Sequence, residues 1–353
     1  VVENPYLDVS IPLNISIQPD GPHPNASFVP VIEALKDPSL FLHPAERFFL
    51  RRFAQRSRIK LEGIERMKIW ENLNGAEGYQ VSPTDWVIPL RSPTLPPAKH
   101  TNLVVLGEPG LIIDPAATMR NEQQRGIDMI RTQKRQGITH QAIFLTHHHH
   151  DHIGAAQRFA QDLSLPIWAH ETTAQLLGFQ IHRTFADDEV LPTATGEDSG
   201  WIALHTPGHA PGHLCLWNPQ SRQLVAGDMV AGVGTILIDP EDGDMGLYLE
   251  SLERLADLKP RFIYPAHGPV ISEAEGWLRF YIQHRLEREE KVLNAMGKDA
   301  CTADDLLGRV YDDVAPAILP LASRSLESHL RKLINEERIE RDLFGEIRRI
   351  KNR

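Results

Sequence analysis

Cysteine is almost missing from this chain. Cys215 and Cys301 are the only two in 353 residues, too few for a disulfide scaffold and without zinc-site spacing. Both are expected to be inert, in a reducing compartment. No apolar run approaches the ~20 residues that a membrane-spanning helix needs, so an integral membrane protein is not expected. Positive charge is also short: 37 Lys and Arg against 47 Asp and Glu give a net charge of −10. A globally basic nucleic-acid binder is thereby excluded, though a locally basic surface is not. Residues 1–5 show neither the basic nor the apolar region of a secretory leader. A leader removed earlier stays open, because residue 1 is Val. The cytoplasm is the expected location, and the glycosylation tripeptides at Asn14 and Asn25 read as chance.

What remains is an ordinary globular balance, 41% hydrophobic and 24% charged, at a length that suggests two domains with or without extensions. Residues 1–84 read as an N-terminal extension. It is rich in proline between residues 4 and 30, has one amphipathic helix over 45–57, and carries no catalytic motif. Residues 85–272 alternate short apolar runs with helical stretches, the pattern of a strand-rich α/β domain. Strands are predicted at 103–106, 111–113, 142–145, 167–169, 201–205, 213–217, 223–226, 235–238 and 262–264. Helices are predicted at 120–136, 153–163 and 247–258. Residues 273–297 form most of a charge-dense helix, read as a solvated bridge. Residues 298–353 read as two helices followed by a hairpin, a winged-helix-like domain.

Histidine is the excess: 17 copies, four of them consecutive. The run from Thr146 through His147, His148, His149, His150, Asp151 and His152 to Gly154 directly follows a buried strand and directly precedes a helix. A loop at a strand's end presents side chains well. His147 and His149, two apart, point the same way if the chain stays extended, and Asp151 and His152 come from the turn into the helix. Three further segments put a candidate ligand at a strand terminus: residues 205–213 with His209, residues 226–228 with Asp228, and residues 264–269 with His267. Five imidazoles and two carboxylates suit two first-row divalent ions.

The run HHHHDH, with TPGH, GD and AHGP following in order, resembles the signature of the metallo-β-lactamase superfamily. That resemblance covers roughly residues 85–290. It implies a four-layer αβ/βα sandwich with metals at one edge between the sheets. It also implies that His147, His149 and His209 hold one metal, that Asp151, His152 and His267 hold a second, and that Asp228 bridges them. From about 85 to 345 the chain looks like the beta-lactamase-like protein 2 family, which joins this hydrolase domain to a C-terminal winged helix and includes a single-strand-preferring endoribonuclease. Residues 1–84 depart from that pattern. Asp114, at a strand end, resembles the superfamily's carboxylate that orients a ligand histidine. His213 is a candidate to orient substrate or donate to a leaving group, and Asp151 is a candidate catalytic group as well as a ligand. His148 and His150 are expected to face away from the metals, and His205 to be structural.

Two such ions about 3.5–4 Å apart lower the pKa of a shared water from 15.7 to near 7 and polarise the scissile group. The implied cofactor is a pair of divalent ions, zinc first, with iron or manganese as alternatives. The dinuclear unit carries net positive charge, which suits an anionic phosphodiester. The leading expectation is hydrolysis of single-stranded RNA, with Arg324, His329, Arg331 and Lys332 of the small domain facing the anion. The alternative is a small anionic or neutral thioester, ester or lactone. Winged helices also make dimer contacts, so a homodimer is a further expectation for this domain.

Overall fold

The computed structural model describes residues 78–350, apart from Val233, Lys298 and Ala315. The helix expected over 45–57, the rest of the extension to residue 77 and the basic end beyond Ile350 lie outside the described residues.

Two mixed sheets face each other. The first has seven strands in sequential order: β1 (Tyr79–Gln80), β2 (Trp86–Arg91), β3 (His100–Leu106), β4 (Leu111–Ile113), β5 (Ala142–Phe144), β6 (Ile167–His170) and β7 (Arg183–Phe185). It is antiparallel up to β4 and parallel from β4 to β7. Residues in its central strands alternate between two cores, as period-two side chains must. Leu111, Ile113 and Phe144 point between the sheets. Ile112, Ile143 and Ile167 point outward, under α1 (Arg120–Arg135) and α3 (Ala156–Leu163), which contribute Ile127, Ile130 and Phe159. Burial on both faces explains why these strands read as continuous apolar runs.

The second sheet has the order β12 (Phe262–Pro265), β11 (Gln223–Gly227), β10 (Leu214–Asn218), β9 (Asp198–His205) and β8 (Glu189–Pro192). It sends Leu191, Trp201, Ala203, Leu214, Leu216, Val225 and Tyr264 into the same inter-sheet core. Full burial of one such large side chain contributes about 1.5–3 kcal/mol. The short helix α4 (Glu171–Leu176) follows β6, and the second sheet's own helices are α5 (Met245–Asp257) and α6 (Ala274–Ala295). Helices thus lie on both sides of paired sheets, the αβ/βα sandwich that was expected. Cys215 sits on β10 with no exposed surface, and burial pushes its thiol up to about 12.

Three departures from the expected elements have physical causes. The helix predicted over 153–163 is split: α2 (His150–Ile153) ends at Gly154, and α3 restarts at Ala156. The preceding loop comes so close here that a Cβ on Gly154 would lie 2.5 Å from the Ala116 carbonyl oxygen, while the Ala155 amide donates to Pro115. Residues 235–238 are not a strand. Ile236 and Ile238 are buried, which produced the alternating pattern, but the backbone carbonyls of this stretch accept from side chains instead of a neighbouring strand. Finally, α6 is not a solvated bridge. Trp277, Leu278, Tyr281, Arg285, Glu289 and Val292 line a buried face at three- and four-residue spacing.

The end of α6 gives Val292, Leu293 and Met296 to a separate core with α7 (Ala303–Val310), α8 (Leu319–Asn335) and the hairpin β13 (Ile339–Arg341) and β14 (Ile347–Arg349). A reciprocal cap between Thr302 and Asp305 starts α7. Cys301 is buried in this second core. Leu343 and Phe344, at the tip of the hairpin, are 102% and 92% exposed. Among the described residues no helix is long and apolar enough to cross a membrane.

Candidate metal centre

The parallel pairs β4–β5 and β11–β12 end on one edge of the sandwich, and the loops leaving them carry the motif residues. Asp114 follows β4, the histidine run follows β5, Asp228 follows β11 and His267 follows β12; His209 comes from the loop between β9 and β10. Two glycines make the close approach possible. Gly208 has φ +127°, and a Cβ there would lie 2.2 Å from the Tyr248 backbone nitrogen. Gly227 has φ +48°, and a Cβ there would lie 2.5 Å from His213 Nε2.

All seven residues expected as ligands converge. On one side, His149 Nδ1 lies 3.0 Å from both His147 Nε2 and His209 Nε2, which are 3.3 Å from each other. On the other side, Asp151, His152 and His267 bring ligand atoms together. His267 Nε2 is 3.6 Å from Asp151 Oδ2, and His152 Nε2 is 3.9 Å from Asp151 Oδ1. Asp228 stands between the sides. Its Oδ2 faces His209 Nε2 at 3.4 Å, and its Oδ1 faces His267 Nε2 at 3.2 Å and His152 Nε2 at 3.5 Å.

The remote nitrogen of every ligand histidine meets an oxygen. His147 Nδ1 meets Thr146 Oγ1 at 3.0 Å, and that hydroxyl donates to Asp114 Oδ2 at 2.6 Å. His152 Nδ1 donates to the same Asp114 oxygen at 2.9 Å. His149 Nε2 donates to Asp242 Oδ2 at 2.7 Å. His209 Nδ1 donates to the Leu237 carbonyl at 3.0 Å, and His267 Nδ1 to the His100 carbonyl at 3.1 Å. Such contacts fix each ring's tautomer and leave the inward nitrogen as a lone pair. His152 Nε2 and Asp228 Oδ1 are buried with no hydrogen-bond partner. A buried polar atom left so is costly, and a divalent ion among these donors would satisfy both. The donor set therefore fits divalent ions.

Electrostatics divides the cluster. Burial, then the neighbouring histidines, hold His147 well below the ordinary imidazole range. Burial likewise lowers His209 to about 4, although Asp228 pulls the other way. Burial opposes charge on His152 too, but Asp228, Asp151 and Asp114 outweigh it and hold this ring well above its ordinary value. His267 is raised against burial chiefly by Asp228. Asp228 itself, despite burial, is held well below the carboxylate range by His267 and His152.

The expected catalytic residues fall in different places. Asp151 keeps an 18% exposed side chain at the rim. Asp114, with its amide-accepting Oδ1 2.8 Å from the Thr146 nitrogen, is buried behind His152. His213 has no exposed surface. Its Nε2 accepts from the Asp228 amide at 3.1 Å, and its Nδ1 meets Thr206 Oγ1 at 2.9 Å. Both nitrogens are engaged, so this geometry gives the ring no atom for substrate. His148 is half-buried with Nε2 3.5 Å from Asp242, and His150 is exposed. His205 stacks on His170 at 4.3 Å and bonds the Pro211 carbonyl.

The small-domain cations expected to face an anion do not. Arg324 pairs with Asp239, Arg331 donates to the Pro240 carbonyl, and Lys332 bridges Glu289 and Glu336. His329 is buried. Residues 319–335 turn these side chains toward the rest of the chain, which helical periodicity cannot reveal.

Three participants were missed. Asp242 lies in an acidic turn, Asp239-Pro240-Glu241-Asp242-Gly243-Asp244, between the stretch expected as a strand and the next helix. Asn102 is buried on β3 and donates to the Pro265 and Gly268 carbonyls, holding the loop that carries His267. Thr94 Oγ1 lies 3.5 Å from His267 Nε2. None carries a sequence signal beyond its residue type.

Comparison with known proteins agrees with this geometry. Residues 97–267 match the metallo-beta-lactamase superfamily model, and residues 302–343 match the beta-lactamase associated winged helix domain. The chain is 30% identical over 214 residues to the beta-lactamase-like protein 2 homolog of Drosophila melanogaster, covering 56% of this chain and 69% of that one. It is 30% identical over 207 residues to the homolog of Caenorhabditis elegans, covering 57% and 68%. Among solved structures, a beta-lactamase domain protein from Burkholderia ambifaria superposes with a TM-score of 0.67 at 18% identity, over 78% of this chain and 94% of that one. A metallo-beta-lactamase family protein from Thermus thermophilus gives 0.60 at 23% identity, over 77% and 100%. These two show the fold.

Proposed function

The chain belongs to the metallo-beta-lactamase superfamily, within the beta-lactamase-like protein 2 family, and on that premise we propose that it is a dinuclear, zinc-dependent hydrolase of phosphodiesters in single-stranded RNA. The observation that carries the hydrolytic reading is the convergence of seven candidate ligand residues, of which the five histidines each have the remote nitrogen on an oxygen acceptor. In this reading His147, His149 and His209 would hold one ion and Asp151, His152 and His267 the other, with Asp228 available to both. Bound there, the ions supply Lewis acidity and a water acidified to the neutral range.

The chain's own residues do the rest. Asp114 and Thr146 lock His152 and His147 in orientation. His213 is a positioning residue: its ring fixes the Asp228 backbone, and through it the spanning carboxylate. Asp151, at 18% the more exposed of the two ligand carboxylates, would be the one to accept a proton at the site. RNA is favoured by the likeness to the beta-lactamase-like protein 2 homologs and by the hairpin tip. Phe344 stands 92% exposed at that tip, a ring placed in water where a base could stack on it.

A second reading, a small thioester, ester or lactone, is favoured by one observation: the cations of α8 are engaged within the chain. One experiment separates the two. Zinc, iron and manganese are counted per chain, and turnover is measured on single-stranded RNA and on a thioester and lactone panel, with Asp228→Ala as control. The proposal expects about two zincs per chain and RNA cleavage lost in the variant. Cleavage surviving in Asp228→Ala would sink the dinuclear mechanism. Turnover of small esters without RNA cleavage would establish the second reading.

A further inference from the structure

Residues 236–242 touch the metal centre on one side and the C-terminal domain on the other. Toward the centre, the Leu237 carbonyl accepts from His209 Nδ1 at 3.0 Å, and Asp242 Oδ2 accepts from His149 Nε2 at 2.7 Å. Two of the three histidines on that side are thus oriented by this one segment. The Asp244 amide, just beyond it, donates to the Gly208 carbonyl at 2.8 Å, next to His209.

Away from the centre, four of the seven residues of the segment are held by α6 and α8. Arg324 on α8 grips both oxygens of Asp239, with Nε 2.5 Å from Oδ2 and an Nη 2.6 Å from Oδ1. Ser328 Oγ, one turn on, donates to the Ile238 carbonyl at 2.7 Å and is buried. Arg331 donates to the Pro240 carbonyl, and Arg285 of α6 to the Ile236 carbonyl. Asp239 is also the pivot of the turn. Its Oδ1 accepts the Glu241 amide at 3.0 Å, and its carbonyl accepts the Gly243 amide at 2.6 Å. The carboxylate that Arg324 holds therefore shapes the turn that presents Asp242. A two-pronged guanidinium–carboxylate contact fixes orientation as well as distance.

We propose that Arg324 and Ser328 are positioning residues for the His147, His149 and His209 side of the metal centre, acting across domains through residues 236–242. On the other side the rings are oriented from the first sheet: Asp114, just after β4, accepts from His152 Nδ1, and the His100 carbonyl of β3 accepts from His267 Nδ1. The proposal rests on the metal-centre reading above and adds a selective role for the small domain within it.

The test is metal uptake by the full chain, with no substrate. Metal-stripped protein is titrated with buffered Zn2+ to obtain stepwise affinities, and with Co2+ to follow absorption at each step. The Arg324→Ala/Ser328→Ala double variant is expected to hold one ion as the wild type does and the other about 10- to 100-fold more weakly, the usual range for groups that orient ligands. Arg324→Lys with Ser328 intact should recover part of that loss. Arg341→Ala, which breaks the Arg341–Glu327 pair inside the small domain, should leave both affinities unchanged. Two ions held normally by the double variant would overturn the proposal while leaving the metal centre standing. Parallel weakening of both ions with a lowered melting temperature would also overturn it, since that describes general loosening. A wild type that takes up no metal would overturn the underlying reading and the proposal together.

Discussion

The two sides of the metal centre, three histidines against two histidines and Asp151, are supported in different ways. His152 is fully buried, and its orienting partner Asp114 is 2% exposed. Asp114 directly follows β4, and His152 lies in α2, reached from the adjacent parallel strand β5. His149 and its partner Asp242 are 28% and 27% exposed, and Asp242 hangs on a turn outside either sheet. Charge differs likewise: carboxylates raise His152 and His267, whereas burial depresses His147 and His209. A single edge of a sandwich can thus hold one ligand set by the framework and another by a segment tethered elsewhere. The second kind is the one open to adjustment without disturbing the core.

The largest expected effect erases the distinction. Asp228 faces both sides, so Asp228→Ala should bring turnover to background and abolish ordered uptake of two ions, measured by metal content per chain. Next comes the split. Asp114→Asn leaves one accepting oxygen where Thr146 and His152 now use two, and should weaken the His152 side by about 100-fold, the upper end for an orienting group, and the His147 side by less, through Thr146. Asp242→Asn should weaken the other side by about 10-fold, the lower end. Equal effects in a zinc titration would contradict the comparison.

A smaller effect concerns stability. His329 is fully buried among Arg285, His284, Arg288 and Lys332, and burial first, then these neighbours, hold its pKa well below the ordinary imidazole value. The folded state therefore refuses a proton that the unfolded chain accepts below about pH 6.5. Stability is unaffected above that pH and falls as pH drops below it, by at most about 1.4 kcal/mol per pH unit. His329→Leu should remove this acid sensitivity, so its melting temperature should gain on the wild type between pH 6.5 and 5. A constant difference across that range would refute the assignment. The smallest effect is expected at the hairpin tip. Phe344→Ser should change stability by under about 0.5 kcal/mol, yet reduce retention on single-stranded RNA in a filter assay if RNA is the substrate.

How much of this was legible beforehand depended on whether a residue's meaning was local. Strands β3 to β6 and their turn could be read because each is a short apolar run bounded by Gly, Pro or polar residues. The ligand candidates could be read because four of them fall within six positions, His147 to His152, and the others sit beside glycine or proline at strand ends. Asp242, Asn102 and the Leu237 carbonyl could not. Their roles exist only because β3, β12 and residues 236–242 meet in space, and a backbone carbonyl has no letter in a sequence. The same limit misassigned residues 235–238, where alternation came from packing under two helices. It also misassigned Arg324 and Lys332, whose charge was visible but whose partners, Asp239 and Glu289, are 85 and 43 residues away.

The scarcity of cysteine has a practical consequence. Cys215 lies in the second sheet with no exposed surface, and Cys301 lies in the small core at 8% exposure. Neither thiol can meet a reagent until its own region opens. Each is therefore a clock for one part of the molecule. Labelling rates followed by mass under native conditions would time the opening of the sandwich and of the C-terminal core separately, without any introduced probe.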